Sequence, residues 1–337
     1  STFAIEGLDV PIAPTDAPSV GTSAFKTSAA DGTRFEMVAN DTYYNGPPDI
    51  DRIVFQQFPS VRAAWAELLR GEVDMLYEVG ADALDSLKAS STRVFTLTRP
   101  YASVVLLNNR RAPFNDRALR LAVSDAIDRE QFVREGLLGL GRVVANPVWP
   151  DHWANDPGAP SYRYRPRPLA GSAGRRFTCL YSDPSIERQA ILLQRMLRAI
   201  NVDVSLEYVP LDQAIRRVQA GDFDAWLADA VQGPSLQRAY AMWHSTGVNN
   251  LGRYASADVD RALDQIREAA NDDAYRAGVR AFQRAIVDDP PAIFLAWSQR
   301  ARAVNTAFDI PVEPGRDILG SLRSWRHRPA PNDGPRP

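Results

Sequence analysis

The stretch spanning residues 177–227 constrains this chain most, because its hydrophobic period switches repeatedly between that of a strand and that of a helix. Phe177, Cys179 and Tyr181 alternate as in a strand. Ser182-Asp183-Pro184 then offers an N-cap and a first-turn proline, and Ile186, Ala190, Leu193, Leu197 and Ile200 recur at helical spacing. Val202, Val204, Leu206 and Tyr208 alternate with Asp203, Ser205 and Glu207 as a second strand. A short helix is expected over 212–220, with Gly221 placed to stop it, and residues 223–227 read as a third strand. Strand, helix, strand, helix, strand implies an α/β sheet built by crossover connections.

A second α/β region precedes it. Ser60 is placed to cap a helix carrying Val61, Ala64 and Leu68 and ending at Gly71, after which Val73, Met75 and Tyr77 alternate as a strand. Residues 35–39 and 53–58 read as strands flanking the turn Asn45-Gly46-Pro47-Pro48. With 337 residues, the chain is long enough for about two domains at roughly 150 residues each. Between the two regions, Arg99-Pro100-Tyr101 precedes a strand over 103–108 and a helix from Asp116 with Leu119, Ala122, Val123, Ala126 and Ile127 on one face. Asp116 or Asn115 is expected to cap that helix, with Phe114 buried. Two packing helices are expected further on, one from Asp258 through Ile266 and one from Asp272 until Pro290-Pro291 ends it. Residues 144–174, rich in proline and aromatics, read as an ordered irregular loop, and 326–337 as a frayed tail.

Composition excludes several function classes. The 41 acidic and 39 basic residues nearly cancel, which argues against a broad polyanion-binding surface. Lys26 and Lys88 are the only lysines, so lysine chemistry has few candidates. One cysteine, Cys179, cannot close an intramolecular disulfide, and His152, His244 and His327 are scattered, without zinc-ligand spacing. No apolar run approaches the roughly 20 residues of a membrane-spanning helix, and residues 1–18 lack a leader pattern, so any signal peptide is expected to have been removed or never present.

Several phrases, in order, resemble the family 5 extracytoplasmic solute-binding proteins of ABC transporters, the oligopeptide, dipeptide and nickel-binding group. They are Gly21-Thr22-Ser23-Ala24-Phe25-Lys26, the run from Ala39 to Pro48, Gly71-Glu72-Val73-Asp74, and Asn108-Asn109-Arg110-Arg111-Ala112-Pro113-Phe114-Asn115-Asp116 leading to Ala126-Ile127-Asp128-Arg129. Gly221-Asp222-Phe223-Asp224, Asn250 through Tyr254 and Asp258-Val259-Asp260 continue the order. The chain resembles the family's C-terminal two thirds, lacking phrases the family carries earlier.

The resemblance implies an α/β, two-lobe, type II periplasmic-binding-protein architecture, with the N-terminal part of lobe I absent. Lobe I would be 1–97 plus 306–325 and lobe II 98–305, joined by strands near 97–101 and 302–307. It implies a non-catalytic protein, periplasmic or extracellular, signal peptide removed and lipid-anchored in some members, monomeric, without cofactor or metal. Such a protein delivers a peptide-like or other small polar solute to a membrane permease. The alternative is a truncated or diverged binding-protein fold acting as a sensor or interaction module without transport.

The resemblance also implies the ligand-binding set Tyr101, Trp226, Asp229, Gln232, Trp243 and Asn250. Tyr101 follows the crossing into lobe II, where the family places pocket residues; it reads equally as a core or surface tyrosine. Peptide-binding relatives carry a tryptophan and an aspartate near this strand, the acid pairing with the peptide's α-ammonium, and Asp229 is the nearest carboxylate here. Trp226 is open between core and cleft. Trp243, His244, Asn249 and Asn250 fall where relatives have cleft or rim residues, His244 reading either as a ligand to a metal chelate or as a solvated side chain. Rings from at least two of Tyr101, Trp226 and Trp243 are expected to converge on one surface. Asn108 and Asn109 read as holding the following turn. No nucleophile motif, P-loop or dinucleotide turn accompanies the paired aspartates Asp222 and Asp224 or Asp258 and Asp260, so catalysis has no second element.

Overall fold

The computed structural model describes residues 21–79, 92–144, 146–168, 175–313 and 317–328. The expectations for residues 1–18 and for the tail beyond Arg328 lie outside these. In chain order the elements are β1 (Phe25–Ala30), β2 (Arg34–Ala39), β3 (Arg52–Gln56), α1 (Val61–Arg70), β4 (Met75–Val79), β5 (Thr92–Leu107) and α2 (Arg117–Asp125). A helical turn, Arg129–Gln131, runs into a π-helical turn, Phe132–Gly136, and then β6 (Gly141–Val143). There follow β7 (Arg175–Tyr181), α3 (Glu187–Arg198), β8 (Val202–Tyr208), α4 (Leu211–Ala220), β9 (Ala225–Val231), α5 (Leu236–Trp243), α6 (Ala257–Glu268) and α7 (Asp272–Asp288). The chain ends on β10 (Ala292–Asn305), β11 (Phe308–Asp309), a 3-10 helix (Ile318–Ser324) and β12 (Arg326–His327).

These elements form two compact units, one of residues 98–299 and one combining the segments before 98 and after 299. Strands β5 and β10 contribute residues to both. In the 98–299 unit the strands run in the order β10-β5-β9-β7-β8, with β6 on β10. β7 is parallel to both β8 and β9, whereas β5 is antiparallel to β9. One face buries Val105, Leu107, Phe177, Cys179 and Leu227 under α2 and α3, through Leu119, Val123, Ala190, Leu193 and Leu197. The other buries Ala102, Val104, Leu106 and Leu180 under α4 to α7, through Val218, Ala239, Leu263 and Phe282. Apolar positions on both faces explain why these strands carry near-continuous hydrophobic runs.

The helix boundaries follow local chemistry. Ser60 Oγ accepts from the Ala63 amide and Gly71, at φ 79°, closes α1. Asp116 accepts from the Ala118 amide, and Phe114 is fully buried, as expected. Asp183 caps a single 3-10 turn, Pro184–Ile186, before α3 begins. Gly221, at φ 77°, ends α4.

Among the expected boundaries that move, two have a clear local cause, and Arg326 and His327 of the expected tail form β12. Strand β9 starts at Ala225 instead of 223, because the preceding turn is held by Asn108, whose Nδ2 donates to the carbonyls of Gly221 and Phe223 at 3.0 Å each. Asn109 similarly donates to the carbonyls of Leu107, Gly252 and Pro291, so both asparagines hold turns. Arg99-Pro100-Tyr101 is not a break: β5 runs straight through it. Pro100 has no amide to give, yet its carbonyl accepts from the amides of Gln232 and Gly233, which keeps the strand engaged. The loop 146–168 is irregular and anchored by buried Val148, Trp149 and Ala154.

In the other unit, β1, β2 and β3 form an antiparallel sheet, β4 pairs with residues 301–304 of β10, and β11 pairs with β12. Arg302, almost fully buried, binds Asp317 with two nitrogens and the Tyr77 carbonyl with a third, fixing the 3-10 helix against this sheet.

Candidate functional site

The order β8-β7-β9 against the chain order β7-β8-β9 means that the first crossover leaves β7 on one side and the second returns on its other side. Accordingly α3 packs on one face and α4 on the opposite face. The connections diverge between the carboxyl ends of β7 and β9, and in open α/β sheets such a switch point is where a crevice is left for a ligand.

The residues at that edge come from four strands. At the end of β7, Ser182 Oγ accepts from Trp226 Nε1 at 3.1 Å. Tyr181, whose hydroxyl donates to Glu187 at 3.0 Å, packs edge-on against the half-exposed Tyr208 ring of β8 at 5.6 Å. The bond to Glu187 and burial both raise the Tyr181 pKa above its ordinary value. At the end of β9, the exposed Asp229 accepts from Ser103 Oγ of β5 at 2.6 Å. Two residues earlier on β5, the Arg99 guanidinium lies 4.2 Å above the Tyr101 ring.

Strand alternation sorts these side chains. The register pairs Ser103 with Asp229 and Tyr101 with Val231, and places Arg99, Tyr101, Ser103 and Asp229 on the α3 face. Trp226 is an odd number of residues from Asp229 and packs with the cluster on the α4 face. Tyr101 and Asp229 are therefore brought together on the α3 face, whereas Trp226 and Trp243 both pack with the cluster on the other face.

Three residues of the expected ligand-binding set have structural employment instead. Trp243 is 1 % exposed, edge-on to Phe294 at 5.2 Å, and its Nε1 donates to Gln232 Oε1 at 3.1 Å. Both residues are closed into the core of the 98–299 unit, which corrects their reading as ligand contacts. Asn250 Nδ2 donates to the carbonyls of His244 and Tyr254 and its Oδ1 accepts from the Tyr254 amide, so it holds a turn. His244 stacks on Tyr240 at 4.4 Å, with Nδ1 accepting from the Thr246 amide and Nε2 3.5 Å from Asp264. Among the described residues no cluster of three metal-ligating side chains occurs. Burial pushes the Cys179 thiol up to about 12, which leaves it a poor nucleophile.

Ser103, Ser182 and Arg99 were not anticipated. Ser182 follows a strand end in a crossover pattern, and the switch-point rule would have marked it. Ser103 becomes visible only once the β5–β9 register is known.

Comparison with known proteins bears on the fold and the family. The chain is similar to the oligopeptide-binding protein AppA of Bacillus subtilis (strain 168), 23 % identical over 339 residues covering 91 % of this chain and 62 % of that protein. It is also similar to the probable D,D-dipeptide-binding periplasmic protein DdpA of Escherichia coli (strain K12), 24 % identical over 289 residues covering 81 % of this chain and 56 % of that one. The chain thus spans under two thirds of the length of these relatives. The crystal structure of the ABC transporter substrate-binding protein CtaP from Listeria monocytogenes superposes with a TM-score of 0.82 at 17 % identity, covering 97 % of this chain and 71 % of that one. The expected α/β fold of the type II periplasmic binding proteins is thereby shown. The sequence signature described as bacterial extracellular solute-binding proteins, family 5 Middle, matches residues 5–251. By that match, which takes in well over half of its length, the chain belongs to the family 5 bacterial extracellular solute-binding proteins.

Proposed function

We propose that this chain holds a peptide-like or other small polar solute at the carboxyl edge of β7, β8 and β9 and serves its delivery to an ABC-transporter permease. The family consists of transport binding proteins rather than enzymes, and works outside the cytoplasm. No helix among the described residues is long and apolar enough to cross a membrane.

The observation that carries the reading is the pairing of Asp229 with Ser103 beside the Arg99–Tyr101 stack. One carboxylate oxygen is held by the serine, and the exposed carboxylate keeps acceptor capacity for an ammonium group. The guanidinium offers donors for a carboxylate from the same strand face. Opposite charges separated by an aromatic surface suit a zwitterion, whose apolar portion lies on the Tyr101 ring while its ends lose water only to charged partners.

Titration calorimetry with a panel of di- to pentapeptides, on the chain and on Asp229→Asn, tests this. The expected result is saturable binding that weakens by about 10- to 100-fold in the variant, the range of a hydrogen bond to a charged group. Binding unchanged by Asp229→Asn at an unchanged melting temperature would place the ammonium site elsewhere.

A further inference from the structure

The 39 basic and 41 acidic residues cancel over the whole chain but not over every part of its surface. In α7, Arg276, Arg280 and Arg284 recur at intervals of four, which sets them along one exposed side of the helix. The loop 146–168 is pinned beside that side. Arg276 lies 4.8 Å above the Trp153 ring, and Trp153 stacks on Tyr275 at 5.1 Å. Gln283, the neighbour of Arg284, donates to Asn155 Oδ1 at 2.8 Å and accepts from the Asp156 amide at 3.2 Å. Further along, Tyr162 stacks on Phe294 at 5.9 Å, and the Arg165 amide donates to the Asp125 carbonyl at 2.7 Å. Around these anchors Arg163, Arg165 and Arg167 alternate with Tyr164, Pro166 and Pro168, all exposed.

Six arginines thus stand in two rows on a fixed backbone. Among the described residues none of the six is in an ion pair, whereas on the neighbouring α6 Arg261 is paired with Asp258 and Arg267 with Asp264. The acid that the loop approaches is Asp125, whose own burial raises its pKa above the ordinary value against the fields of Arg165, Arg129 and Arg167. Exposed guanidinium groups are satisfied by water, so this surface is not an uncovered core. It is a local positive field.

We propose that α7 and residues 163–167 form a face that rests on phosphate-bearing lipid headgroups and holds the 98–299 unit against a membrane surface. Successive arginines of α7 are about 6 Å apart along the axis, too far for one phosphate to meet all three and suited to a surface of many. Trp153 is 39 % exposed and Tyr164 56 %, and rings with a polar edge lodge at the headgroup level of a bilayer. An acidic protein surface would also meet the arginines, but it offers the two rings no apolar layer to enter. The inference rests on the extracytoplasmic transport setting of the proposed function and not on the Asp229 site.

The probe is a phosphatidylcholine vesicle containing about one third phosphatidylglycerol, since a basic residue held at an anionic surface is worth a factor of about five in binding. Co-sedimentation should show saturable binding that weakens from about 0.05 to 0.3 M salt as screening shortens the reach of the charges. Pure phosphatidylcholine should bind nothing. The triple variant Arg276→Gln, Arg280→Gln, Arg284→Gln and the triple variant Arg163→Gln, Arg165→Gln, Arg167→Gln should each lose at least tenfold. Arg188→Gln, Arg195→Gln, Arg198→Gln on α3, over the opposite face of the sheet, changes the net charge equally and should bind within about twofold of the wild type, as should Asp229→Asn. Brominated lipid in the same vesicles should quench tryptophan emission, and Trp153→Phe should remove most of that quenching. Absence of binding to the anionic vesicles, an equal loss in the α3 variant, or quenching indifferent to Trp153→Phe overturns the proposal. So does binding to polyglutamate, lost in both arginine variants, by a protein that ignores the vesicles, which would give the face to an acidic polypeptide.

Discussion

Ser103 and Asp229 face each other across the antiparallel pair β5–β9, with the serine hydroxyl donating to the carboxylate at 2.6 Å. The serine is 1 % exposed and the aspartate is open to solvent, so a buried hydroxyl fixes the orientation of an exposed charge. Strand pairing sets that relationship, since a one-residue slip of either strand would turn that strand's side chain to the opposite face and part the pair.

Ser103→Ala should therefore act on binding more than on folding. Removing the donor frees the Asp229 carboxylate to rotate, and calorimetry with a zwitterionic peptide should show affinity reduced by roughly 2- to 12-fold, the equivalent of about 0.5–1.5 kcal/mol. The melting temperature should barely move, because water can satisfy the exposed carboxylate. A large thermal shift with unchanged affinity would assign the pair a structural role.

The two tryptophans should separate cleanly. Trp243→Ala removes a fully buried ring packed on Phe294 and is expected to cost about 3–5 kcal/mol in chemical denaturation. Trp226 is only partly covered and lies at the strand edge beside Ser182, so Trp226→Ala should cost clearly less. Equal losses for the two variants would contradict the different burial of these rings.

That contrast also shows what periodicity can and cannot deliver. Leu236, Ala239 and Trp243 recur at spacings of three and four, a helical stripe that marks the tryptophan as core. The expectation of a cleft residue set that signal aside in favour of the family resemblance. The helix over Ile186 to Leu197 and the caps at Ser60, Asp116 and Gly221 were legible because they depend on neighbours a few residues away. Asp229 was legible as a carboxylate, and its odd separation from Trp226 already set the two on opposite faces. Its partner Ser103 was not legible, because 126 residues separate them and only the assembled sheet defines the register. The continuation of β5 through Pro100 likewise depended on acceptors used by Gln232 and Gly233, which no local pattern announces.

Asp116 ties a helix cap to an ion pair, since it accepts from the Ala118 amide and from Arg175. Burial opposes its ionisation, but the Arg175 bond and the amides of Ala118 and Leu119 outweigh that and hold its pKa below the ordinary 3.8. A group with a depressed folded-state pKa stabilises fully above its unfolded value, and that contribution fades as pH falls through 3.8 toward the folded value. Asp116→Ala should cost about 0.5–2 kcal/mol at neutral pH. Asp116→Asn keeps a capping oxygen and should lose less, with a flatter stability profile below pH 4 in urea titrations. Identical acid profiles for the wild type and Asp116→Asn would remove the carboxylate from this account.

Arg99 makes the last prediction, and it concerns ligand length. The residue lies on the same face of β5 as Ser103, four positions away, so their backbones are roughly 13 Å apart along the strand, with the Arg99 guanidinium reaching over the intervening Tyr101 ring toward the Asp229 carboxylate. An extended peptide advances about 3.3–3.6 Å per residue, which puts the two termini of a molecule of about three or four residues within reach of both charges at once. Affinity across a homologous alanine series should accordingly peak at tri- or tetrapeptides. Arg99→Gln should flatten the peak while leaving C-terminally amidated peptides nearly unaffected, because those lack the carboxylate the guanidinium would meet. The double variant with Asp229→Asn should lose little more than the sum of the single losses if the two charges hold opposite ends of the ligand independently. Calorimetry on the four proteins and two peptide series supplies every term. A loss on Arg99→Gln that is equal for amidated and free peptides would show that the guanidinium supports the Tyr101 ring instead of meeting the ligand.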